Sequence, residues 1–263
     1  MPTLFRSVGL TSLACTTFGI AGVNEIRLDQ NPITGATLGY IGNNVYGCKD
    51  GFDSDMSGFT AFCESMKSSA VSTLSVSGCG IGPVGLTTLA SVISDTAGLN
   101  DITIDSTGNL EDQKKYTITG LQGGGASSLD FSSLNFGPAD LKFLATLFTS
   151  FPSFNALLSE VNLSANKCFG SKPDPRSPRR PHIHDIDKDQ SGWIAFCEAL
   201  PSTKVQTLVL SDTGLGSVGL TTFASMINDM AGLSEVDLEN NTAIEVAELE
   251  ALRKSHPNIK FTM

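Results

Sequence analysis

The chain has 263 residues, 40% of them hydrophobic, and its 17 basic and 27 acidic side chains give a net charge of −10. That length is enough to bury a large core, and a mean hydropathy of +0.06 excludes both a disordered polymer and a bundle of membrane helices. The acidic balance disfavours nucleic acid and anionic lipid as ligands and favours basic partners or cations.

Taken in chain order, residues 7–22 (SVGLTSLACTTFGIAG) follow Arg6 in the manner of a secretory signal. They align with SVGLTTFASMINDMAG at 217–232, so an internal repeat is the better reading. Short strands are expected wherever the pattern L-x-L-x-x-(N/C/T) recurs, beginning at Ile26, Leu74, Ile102, Leu129, Val161, Leu208 and Val236, with a shortened last strand from Ile259. Asn31, Cys79, Thr107, Asn166, Thr213 and Asn241 then bond backbone groups as the chain turns, and Leu134 replaces this residue in one repeat. Between strands, stretches such as VGLTTLASVI predict helices. Leu86, Leu89, Ala90, Ile93 and Ala97 fall on the inner face, with Thr87, Ser91 and Ser94 outside. Gly120–Gly125 (GLQGGG) lacks the Gly-Lys-Ser/Thr of a phosphate loop and reads as a turn replacing a helix.

A longer copy overlies this pattern. The segment from Asp53 to Leu99 recurs from Asp187 to Leu233 with about half its positions identical. The segments LSVSGCGIGPVGLTTLASVI and LVLSDTGLGSVGLTTFASMI resemble leucine-rich repeats of the ribonuclease-inhibitor-like type. The resemblance covers nearly the whole chain and implies an α/β solenoid, with parallel strands on the concave face of a horseshoe, helices on the convex face, and a protein-binding role. One domain over residues 1–263 is expected, with insertions near 34–52 and 169–186 at equivalent places on one rim, about 20 Å apart at ~4.8 Å per strand. Polar caps are missing at both ends, which points to a fragment of a longer chain, a flanking partner or end-to-end self-association.

The concave face is the default binding surface. Its strand positions Glu25, Arg27, Asp29, Thr73, Ser75, Asp101, Thr103, Asp105, Asp130, Glu160, Asn162, Glu235, Asp237 and Glu239 form polar rows that become acidic toward the C-terminal end and suit a partner with a basic surface. A second candidate is DKDQSGWIAFCE, which matches the ligand pattern of a calcium loop with Asp187, Asp189 and Ser191 at positions one, three and five and Glu198 at twelve. Gly192 would supply the bend and Trp193 a carbonyl; Asp53, Asp55, Ser57 and Glu64 repeat the pattern in DSDMSGFTAFCE. Against calcium, Pro173, Pro175, Pro178 and Pro181 forbid the helix that should precede the second loop. The competing reading makes Ser57 and Ser191 helix caps and sends Phe62, Cys63, Phe196 and Cys197 into the core. No cofactor is required beyond this calcium alternative.

His182, His184, Asp185 and Asp187 could group around zinc but read better as a solvated loop, and PDPRSPRRPH with Ser177 is a basic insert in an acidic chain. The three histidines, His182, His184 and His256, assemble no catalytic set, so an enzyme is not expected. A GTPase-activating role would need an exposed Arg or Asn loop placed against a nucleotide site, and Arg27 is the one arginine on the expected inner face. The six cysteines, Cys15, Cys48, Cys63, Cys79, Cys168 and Cys197, have no close-spaced pairs and read as reduced core thiols of an intracellular, cytoplasmic protein. No apolar run reaches the roughly 18 residues needed to cross a membrane.

Overall fold

Strand and helix alternate along the chain because the hydrophobic period switches between two and about 3.6 residues. The computed structural model describes residues 9–12, 22–41, 45–67, 69–173 and 183–263. It divides into two compact units, Met1–Gly124 and Gly125–Met263.

In the first unit residues 9–12 are helical. β1 (Glu25–Arg27), the hairpin strands β2 (Thr37–Ile41) and β3 (Val45–Asp50), α1 (Ser57–Met66), β4 (Thr73–Ser75), α2 (Pro83–Ile93), β5 (Asp101–Asp105) and β6 (Lys115–Ile118) follow. Its main sheet has the order β1-β4-β5-β6. The first three strands are parallel and in register, with Ile26, Leu74 and Ile102 abreast and buried. The fourth is antiparallel to β5. The parallel ladder expected to run on from Ile102 therefore meets a hairpin partner here. Lys115, Tyr116, Thr117 and Ile118 alternate exposed and buried, the period-two pattern of a strand, after a charged run that buries no helix face. The turn reading of GLQGGG holds, since Gly120, Gly123 and Gly124 all take positive φ.

The second unit contains β7 (Ser128–Asp130), α3 (Pro138–Ser150), β8 (Glu160–Asn162), the short pair β9 (Lys172–Pro173) and β10 (Ile183–His184), α4 (Ser191–Ala199), β11 (Thr207–Val209), α5 (Ser217–Met226), β12 (Glu235–Asp237), α6 (Val246–Ser255) and β13 (Lys260–Thr262). The order β7-β8-β11-β12-β13 is parallel throughout, with Val161, Leu208 and Val236 fully buried. Each insertion contributes an antiparallel two-stranded sheet, β2-β3 and β9-β10. The insert tips, residues 42–44 and 174–182, lie outside the described residues, as do Ser177, His182 and most of the signal-like segment 7–22.

The helices bury the faces that the sequence predicts. Phe62, Cys63, Phe196 and Cys197 are 0% exposed, and Trp193 packs among Phe169, Phe196 and Phe223 while its indole N–H donates to the Gly219 carbonyl at 2.9 Å. Leu86, Leu89, Ala90 and Ile93 line the inner side of α2. Ala97 does not, because the helix stops at Ile93 and leaves it exposed. No helix among the described residues is long and apolar enough to cross a membrane.

What fixes one repeat on the next is a polar side chain buried at the turn after each strand. Asn166 donates to its own Leu163 carbonyl and to Phe131 of the preceding repeat, both at 2.8 Å, and accepts from the Phe136 N–H at 2.9 Å. Asn241 donates to Leu238 and to Leu210 of the preceding repeat, and accepts from the N–H groups of Thr213 and Leu215. Cys79 reaches the Leu28 carbonyl and Thr213 the Leu210 carbonyl. The residue before each of these turns through the left-handed region: Gln30, Gly78, Ala165, Asp212 and Asn240 have φ between 52° and 69°. Most are not glycine, so this geometry costs on the order of 1 kcal/mol per turn, which the buried hydrogen bonds offset.

Replacing Asn241 by Ala strands the Thr213 and Leu215 N–H groups in the interior, at about 1–3 kcal/mol for each, while the Leu210 and Leu238 carbonyls keep the Thr213 hydroxyl and the Asn241 N–H. Denaturant unfolding should show Asn241→Ala less stable by at least about 2 kcal/mol. Asn31→Ala, whose bonds to the Leu28 and Asp29 carbonyls lie within its own half-buried turn, should cost less, since water can reach the groups it leaves.

Candidate interaction surface

On the strand side, parallel register turns sequence positions into rows. In the first unit Glu25, Thr73 and Asp101 stand abreast, followed by Arg27, Ser75 and Thr103. In the second, Ser128, Glu160, Thr207, Glu235 and Lys260 form one row and Asp130, Asn162, Val209, Asp237 and Thr262 the next. Glu239 lies beyond β12 and is exposed.

Much of this polar surface is already engaged. Arg27 pairs with Glu25. Asp29 accepts from the Ser75 hydroxyl and the Ser77 N–H, and Asp105 from the Ser77 hydroxyl and the Gly78 N–H. Asp101 accepts from the Gly120 N–H at 3.3 Å, and the Thr103 hydroxyl meets that of Thr117 at 2.9 Å. Asp130, Asn162 and Asp237 each fold back on the N–H two residues ahead, at 2.9–3.0 Å, an Asx turn that leads the chain off the strand. Lys260, which the sequence reading missed because the final strand seemed only a remnant, ends the acidic row with a 2.6 Å bond to Glu235 that raises its pKa. Among the described residues the carboxylates of Glu160 and Glu239 have no hydrogen-bond partner.

The two calcium-like loops divide their side chains between separate tasks. Asp55 accepts from the N–H and hydroxyl of Ser57 at 3.1 and 2.6 Å, and Asp189 from those of Ser191 at 3.0 and 2.6 Å, closing the first turns of α1 and α4. The acceptor at these helix starts is thus the aspartate, and the serine hydroxyl donates. Asp53 leaves its own loop to accept from Gly82 and Val84, both at 2.9 Å, at the start of α2. Asp187 does the same for α5, accepting from Gly216, Val218 and Gly219 at 2.9–3.1 Å. A carboxylate at this end of a helix satisfies free N–H groups and the positive end of the helix dipole together.

Glycine makes the close approach possible. A Cβ on Gly82 or Gly85 would lie 2.6 or 2.7 Å from the Asp53 carboxylate oxygens, and one on Gly216 would lie 2.5 Å from Asp187. Gly192, expected to bend the loop, instead sits inside α4, where a Cβ would lie 2.0 Å from the Pro138 carbonyl oxygen. Because α1 and α4 begin at Ser57 and Ser191, Glu64 and Glu198 stand seven residues along them, about 10 Å away at 1.5 Å per residue. Glu64 pairs with Lys67 at 2.8 Å, and Glu198 is exposed. The structure thus joins Asp55 to Ser57 and Asp189 to Ser191, and carries the other loop carboxylates elsewhere. Of the proposed zinc cluster, Asp185 pairs with Lys188 at 2.7 Å and Asp187 holds α5.

The thiols are protected. Cys48, Cys63, Cys79, Cys168 and Cys197 are free and buried; burial first, and then Asp105, pushes Cys48 up to about 11, and burial pushes the other four higher still. His256 ends α6, its ring nitrogens within 2.9 Å of the Ser255 hydroxyl and 3.2 Å of the Asn228 side-chain oxygen.

Residues 68–90, which contain β4 and most of α2, match the Leucine Rich repeat family. The chain therefore carries a leucine-rich repeat within a mixed α/β fold of parallel sheets and helices, and such repeats commonly serve protein interaction. Among curated proteins, nothing matches the chain.

If Asp187 is chiefly a helix cap, Asp187→Ala should lower the unfolding free energy by about 1–2 kcal/mol, and adding Asp53→Ala should lower it by a similar further amount. Millimolar calcium added to chelator-treated wild-type protein should leave the melting temperature unchanged. A rise that the double variant abolishes would restore the calcium reading.

Proposed function

We propose that this protein is a non-enzymatic interaction module whose repeats are of the ribonuclease-inhibitor-like type, binding a partner protein through the strand face and the rim that carries the insertions. The observation that carries this reading is the in-register parallel sheet of the second unit, which holds side chains from successive repeats in fixed rows. A rigid array of this kind presents several contacts at once with little ordering cost on binding.

The partner surface is basic. Among the described residues the carboxylates of Glu160 and Glu239 are unengaged, and the whole chain carries a net charge of −10. Engaged carboxylates such as Asp130 and Asp237 add to the field without being available for direct contact. The reduced, buried thiols suit an intracellular setting.

Rim and face charges act mostly on encounter, so association with a partner isolated from native extract should slow markedly as salt rises. Surface plasmon resonance with Glu160→Gln/Glu239→Gln should show an association rate lower by about threefold to tenfold and a nearly unchanged dissociation rate. A salt-independent association rate would exclude the basic partner.

A further inference from the structure

The copied segment supplies an internal comparison for one groove, which lies at the ends of the helices rather than at their starts. After α1, Lys67 turns its ammonium to Glu64 at 2.8 Å and toward Asp95, in the next repeat, at 3.8 Å. Its side chain is only 34% exposed, so the methylene stem lies against the protein surface between the two repeats. In the second copy Glu198 and Asp229 stand where Glu64 and Asp95 do, but Pro201 stands where Lys67 does. Both carboxylates are kept and the cation between them is lost.

The seat beneath is otherwise alike. Val71 and Gly98 correspond to Val205 and Gly232, and a Cβ on Gly98 or Gly232 would lie 3.2 or 3.3 Å from the carbonyl oxygen of the corresponding valine. Proline is too short to cover this seat. Past the end of α4 a groove of about 70 Å³ is open, walled by Leu200, Pro201, Val205, Met230 and Leu233 and including the exposed Asp229. That volume holds several waters or one slender side chain. Among the described residues Glu198 and Asp229 form no ion pair, and Lys204 in the adjoining loop reaches neither. The strands β9 and β10 of the insertion lead into the opposite end of α4, about 13 Å away at ~1.5 Å per residue.

We propose that this groove seats a lysine side chain of a partner protein, in the place that Lys67 fills in the first copy. The stem lies along Val205, Met230 and Leu233, and the ammonium is shared between Asp229 and Glu198. A compact ammonium on a flexible stem suits a slender groove between two carboxylates better than the broad planar fork of arginine. The inference rests on the interaction reading above and adds to it one specific basic side chain, bound away from the strand face.

The test is titration of Nα-acetyl-lysine methylamide into the isotope-labelled full chain, followed by amide NMR shifts. Saturable shifts should centre on residues 200–205 and 229–233. The norleucine analogue, which keeps the stem and lacks the charge, should bind at least about tenfold more weakly. Asp229→Asn should weaken the lysine probe by about threefold to tenfold. Pro201→Lys restores the arrangement of the first copy and should abolish the shifts by filling the groove from within. Both positions are exposed, and Lys67 shows that the fold accepts lysine there, so both variants should keep the wild-type melting temperature, which is checked first. No saturable shift in these residues would overturn the lysine seat. So would a norleucine analogue that binds as well, or shifts indifferent to Asp229→Asn or Pro201→Lys. None of these outcomes involves the strand face, so the interaction reading stands or falls separately, on the salt dependence of association.

Discussion

The structure depends on polar side chains placed where a polar group is most costly to leave unpaired. Each turn after a strand points backbone donors and carbonyls into the interior; Asn166, Asn241 and Cys79 satisfy them across the boundary to the preceding repeat, and Thr213 within its own. Apolar stacking alone would let neighbouring coils slide, because it has no direction. A buried amide with four required partners permits one register, and that register makes the rows of strand residues possible.

The copied segment shows a second coupling of this kind. Asp53 and Asp187 each extend from an insertion-bearing repeat to the helix of the following one, and glycine pairs admit the carboxylate. This gives the conspicuous spacing of the loops a role in capping. Position one caps a distant helix, positions three and five close a local one, and position twelve faces outward from the helix surface. The likeness to a calcium loop arises because both arrangements need short acidic side chains beside a helix start.

Function divides along similar lines. Carboxylates that shape the chain also give it a field, so an acidic face can be structural residue by residue and still select its partner by charge.

Leu74, Ile102 and Leu208 were legible as strand centres from alternation alone, and Asn31, Asn166 and Asn241 as turn residues from their recurrence. The helix faces followed from spacing, except Ala97, whose helix ends earlier. Tyr116 and Ile118 alternated plainly, yet repeat spacing drew attention past them to the next strand. By itself the sequence determined the repeat, its strands and helices, and which residues are buried, because periodicity is a local property. Which carboxylate meets which N–H, and that Gly192 admits a neighbouring carbonyl, were decided only by tertiary structure. Those relations join residues about thirty or more positions apart, and spacing along a chain carries no record of distances in space.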